Sequence, residues 1–89
     1  MITAKEADNL VFESVKYEYN VLEQNIERAI RIAAMDGRRS VIIPIDVSTG
    51  KQREAISFFM KELRDSGFYA SYDDYGSARK PKWEITVSW

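Results

Sequence analysis

Two residue types are missing from the chain altogether, cysteine and histidine. Without cysteine there is no disulfide and no thiolate chemistry. Without histidine the commonest general base and the commonest transition-metal ligand are gone. A nucleophile–base–orienter set cannot be assembled, short of a Ser–Lys arrangement that nothing in the order of residues supports. We therefore expect no enzyme, no catalytic residue, no metal site and no cofactor. Proline (two residues) and glycine (four) are scarce, so the few breaks they impose are easy to place. Long apolar runs are lacking too. "VIIPI" is among the longest, far below the roughly 20 residues of a membrane span. The opening "MITAKEADNL" has no basic region followed by an apolar one, so no signal peptide is expected. Nor does one sign of charge dominate: the formal net charge is −1. No overall field draws the chain to nucleic acid or an acidic membrane.

What is present is an ordinary globular balance, 45% apolar and 30% charged over 89 residues. That suits a single domain, residues 1–89, burying about 60–65% of its unfolded surface. "TAKE" reads as a capping box, with Thr3 and Glu6 opening a helix. No Pro or Gly follows until Asp36-Gly37, where a left-handed glycine would end it. The expected helix runs from about 4 to 36 and is roughly 50 Å long. A break near Tyr19-Asn20 is the alternative, because "YEYN" is a weak helix former. Phe12, Val15, Tyr19, Leu22, Ile26, Ala29 and Ala33 recur in steps of three and four, forming one apolar seam. Leu10 and Val11 widen it near the start, Ile30 and Met35 near the end.

The α/β core, about 40–89, follows. Val41 to Ile45 predicts a strand, and Pro44 predicts an edge strand or a position turned from its neighbour. "STGKQREAISFFMKELRDSGF" predicts a second helix, capped by Ser48 or Thr49 and closed by Gly67, with Ile56, Phe59, Met60 and Leu63 inward. "FYASY" predicts a second strand. In "KWEITVSW" the alternation sends Trp83, Ile85, Val87 and Trp89 one way and Glu84, Thr86 and Ser88 the other. The fold class is α/β of the α+β type: a two-layer sandwich, order α-β-α-β-β, with both helices on one face of a three-stranded mixed sheet.

A straight helix of this length overshoots a compact core of about 12 Å radius of gyration. Something must cover Leu10, Val11, Phe12 and Val15. The expected cover is a second copy of the chain, through Leu10, Val11, Phe12, Val15 and Tyr19, with Trp89 either plugging its own core or packing into that neighbour. On this reading Phe12→Asp separates the copies and leaves the fold intact. The alternative is a first segment folded back over the sheet.

Polar motifs are weaker. "STGKQ" lacks the spacing of a phosphate loop: Ile45 stands where the first glycine belongs, and Gln52 follows the lysine. Lys51 and Arg53 beside Gly50 read as a capped helix start with solvated charges. Arg79, Lys80 and Lys82, with Tyr75, set basic residues among aromatics, which suits a nucleotide or another small anion. Asp73 and Asp74 on the facing arm oppose phosphate and read as turn residues.

"MITAKEA", a long helix closing on "AAMDG", a helix closing on "ELRDSGF" and a last strand ending "ITVSW" together resemble small accessory proteins encoded in tailed-bacteriophage genomes. The resemblance implies a phage-derived, oligomeric, non-enzymatic protein of the host cytoplasm or virion, and carries over no site residue. The functional expectation is a homo-oligomeric protein-binding or structural protein. The alternative is an oligomer that sequesters a nucleotide or anion.

Overall fold

The computed structural model describes residues 1–47, 49–77 and 80–89; at 46, 75–77 and 80–81 it describes the backbone. The elements run α1 (Ala4–Ser14), α2 (Lys16–Met35), β1 (Ser40–Asp46), α3 (Gly50–Asp65), β2 (Tyr69–Ser77) and β3 (Lys80–Ser88). Both layers of the sandwich are there, helices over a three-stranded sheet. Two details differ from expectation.

The first is the long helix. It breaks at Val15, whose φ of −112° and ψ of 13° leave the helical region; it does not break at Asn20. The cause is local. The Ser14 hydroxyl donates to the Val11 carbonyl at 2.7 Å, and Val15 N–H is shared between the Val11 and Phe12 carbonyls. A serine that bonds back to its own preceding turn competes with the backbone ladder and bends the helix. The bend sinks Val15 to 1% exposure and brings Phe12 edge-on against Phe58, ring centroids 5.1 Å apart.

The second is the sheet. It is antiparallel throughout, in the order β1-β3-β2, and not mixed. β1 and β2 are parallel in direction, as a β-α-β crossover requires, but β3 lies between them and pairs with both. Trp89 N–H donates to the Arg39 carbonyl at 3.0 Å. Residues two apart share the same bonding side of an antiparallel ladder, so Val41, Ile43 and Ile45 bond to β3 while Ile42 and Pro44 turn to the open edge. Pro44, without an N–H, stands where none is needed for the ladder.

The caps follow the chemistry of the residues. Thr3 accepts from Glu6 N–H at 3.1 Å, and Thr49 and Gln52 close a reciprocal capping box on α3. Gly37 (φ 80°) and Gly67 (φ 93°) take the left-handed conformation that ends α2 and α3. After Gly67, Phe68 N–H returns to the Leu63 carbonyl at 3.0 Å.

The core lies between α2, α3 and the inner sheet face. Ile26, Val47, Ile56, Ile85 and Val87 are the most completely enclosed of its members, with Phe59, Met60, Leu63 and Trp83 around them. α2 packs over β1 and α3 over β2. The outer sheet face carries Glu84, Thr86, Ser88, Tyr69, Ser71 and Ile42, with no layer above it among the described residues. The alternation of the last strand therefore sorts the two faces as its sequence predicts. Ile85→Ala should lower the unfolding free energy by about 2–5 kcal/mol, because a cavity opens in an enclosed site. Ile42→Ala, on the bare face, should change it by less than about 0.5 kcal/mol. Urea denaturation of both variants checks this; equal losses would mean the two sheet faces have been assigned wrongly.

Candidate interaction surface

The apolar seam read from the sequence faces inward. Val15, Leu22, Ile26 and Ala33 are buried, and Phe12, Tyr19 and Ala29 half-buried. Phe12 meets both Tyr19 (5.2 Å) and Phe58, and Tyr19 meets Phe59 (5.6 Å), each pair edge-to-face. This aromatic chain ties the first segment to α3 and supplies the cover that the length of the helix seemed to demand from outside. Trp89 likewise packs edge-on against Phe68 at 6.2 Å and is half-buried. Of the six residues expected at an oligomer contact, Phe12, Val15, Tyr19 and Trp89 are thus engaged within the chain. Leu10 and Val11 stay exposed. Phe12→Asp would consequently disturb α1 itself, not merely a contact with another copy.

A different set of apolar side chains is left uncovered. Tyr17 (77% exposed), Val21 (41%), Ile32 (62%) and Met35 (89%) lie along α2, and their spacing puts them on the side away from the core. Met35, expected to widen the inner seam, is turned out to solvent. The signal for this second stripe was present, since 17, 21, 32 and 35 share one helical face once 25 and 28 are counted with them. The polar pair in the middle, Asn25 and Arg28, interrupted the apolar repeat. Beside the stripe an open groove of about 340 Å³ runs between α2 and the free edge of β1, lined among others by Tyr17, Val21, Asn25, Ile43 and Pro44.

The basic hairpin is only partly assembled. Arg79 lies outside the described residues. Tyr75 and Lys80 fall on β2 and β3, and Tyr75 stands opposite Lys82 in the ladder. Lys82 is exposed, two residues from Glu84, which itself faces Asp73 across the strands. Alternation along the strand puts Lys82, Glu84 and Asp73 on one face, so acid and base are mixed there. Asp74 points to the other face, opposite Trp83. On that side Tyr72 stacks on Trp83 at 4.6 Å and 12°, and Trp83 Nε1 is buried with no hydrogen-bond partner among the described residues. At the α3 start, Gln52 N–H is taken by Thr49, and Lys51 and Arg53 are exposed. No group of three or more acidic side chains is arranged to hold a metal ion among the described residues. No helix there is long and apolar enough to cross a membrane.

Compared with protein-family models, with curated proteins and with solved structures, the chain matches none.

The titration of the Tyr19 phenol is displaced. Burial, then the neighbouring carboxylates of Glu23, Glu62 and Glu27, holds its phenol above the ordinary value of 10.0. The folded chain therefore keeps this proton more tightly than the unfolded one. Its contribution is complete below about pH 10 and is lost as pH rises beyond that. Tyr19→Phe should remove this part of the alkaline loss of stability, read by circular dichroism from pH 9 to 12. Superimposable alkaline curves for the two proteins would contradict it.

Proposed function

We propose that the protein is a small homo-oligomeric, non-enzymatic protein that works by protein contact, as a structural or accessory component. The observation that carries this reading is the outward stripe of α2, where four large apolar side chains face solvent on one helix face. Single exposed apolar residues are ordinary; an aligned set marks a contact surface. The elongated shape supports it. The radius of gyration is 14.1 Å and the longest dimension 51 Å, against about 12 Å expected for a compact chain of this length. The absence of histidine and cysteine and the resemblance to phage-encoded accessory proteins agree with a role in assembly rather than in chemistry.

Light scattering after size exclusion, at several concentrations, tests the reading. A mass that is a multiple of 10.3 kDa and persists on dilution is expected; a single-chain mass at every concentration would overturn it. A nucleotide panel should leave the melting temperature unchanged. A ligand at 100 times its Kd would add about 2.7 kcal/mol of stability, a shift that would favour the anion-sequestering alternative.

A further inference from the structure

We infer that a second copy of the chain docks on the outward face of α2, antiparallel to the first, about a twofold axis passing near residue 26. This rests on the homo-oligomeric reading above and specifies its interface. A twofold contact uses the same patch on both copies, so the patch must complement itself when reversed. The stripe does. In order it reads Tyr17, Val21, Asn25, Arg28, Ile32, Met35: two apolar residues, two polar, two apolar. Laid antiparallel, Tyr17 meets the second copy's Met35, and Val21 meets its Ile32. Tyrosine and methionine form a favourable sulfur–aromatic contact.

The charges select the direction. A parallel pair would set Arg28 directly against Arg28 at the centre of the contact, like charges facing each other. Reversal displaces each Arg28 by about 5 Å along the axis from its counterpart. There it faces the side-chain carbonyls of Asn25 and Gln24, both exposed, which accept from a guanidinium. The neighbouring sheet edge is a poorer place for a second copy. Pro44 has no N–H to offer there, which interrupts strand-to-strand pairing along β1.

The lack of cysteine makes a direct test clean. The double variant Tyr17→Cys/Met35→Cys alters two exposed side chains and leaves the core untouched. Under mild oxidation it should give a covalent dimer joined between position 17 of one copy and position 35 of the other, identified by peptide mapping. Either single variant should stay unlinked, because its two thiols would lie about 27 Å apart, far beyond disulfide reach. Links of 17 to 17, or of 35 to 35, would overturn the antiparallel arrangement. No link under conditions where light scattering shows an oligomer would overturn this interface and leave the oligomeric reading standing. A single-chain mass throughout would remove both. Ile32→Glu, a second exposed position, should dissociate the oligomer at unchanged helical content; an undiminished mass would also overturn the interface.

Discussion

The whole domain depends on the central position of β3. It alone pairs with both other strands, and its inward residues Trp83, Ile85 and Val87 form the floor beneath both helices. Strands hydrogen-bonded to a common neighbour stand about 10 Å apart, close to the separation of two packed helices. α2 over β1 and α3 over β2 therefore lie side by side without strain. Inserting β3 sets the spacing of the upper layer and closes the core from below.

From this follows the division of labour on α2. One face supplies Leu22, Ile26 and Ala33 to the core. The bend at Val15 then redirects the preceding segment so that Phe12 reaches α3 and not empty solvent. What is left is the opposite face, with its apolar residues in two pairs around a polar centre. The same helix thus has an inner seam satisfied within the chain and an outer stripe that is not. That second face and the groove beside β1 are where the proposed contact falls.

Much of this was legible in the sequence, for reasons that were local. Alternation in the last strand identified the inner and outer faces, because its period is strict and one register alone buries Trp83. Thr3, Thr49, Gly37 and Gly67 marked helix ends through hydrogen bonds and backbone angles that act within a few residues. Pro44 marked an edge. Pairing was not legible. A β-α-β connection gives two strands the same direction, but whether a third slips between them is decided by packing across the sheet. Propensity, a weak guide, suggests a continuous helix or a break near Asn20, whereas the back-bond from Ser14 places the break at Val15. Length alone suggests an overhang at the start of the seam; the structure packs Phe12, Val15 and Tyr19 within the chain and leaves Leu10 and Val11 exposed. The basic hairpin, read as a cluster in one dimension, places Lys82 on a strand face shared with Glu84 and Asp73.

The central claim is that α2 serves two partners, its own core inward and another copy outward. Methyl resonances followed by NMR across a dilution series would test it most directly. The account predicts that Val21, Ile32 and Met35 shift with concentration while Ile26, Ile85 and Val87, enclosed and away from the groove, hold still. Concentration-dependent shifts confined to Ile42 and Thr86 on the outer sheet face, or none at all, would contradict it.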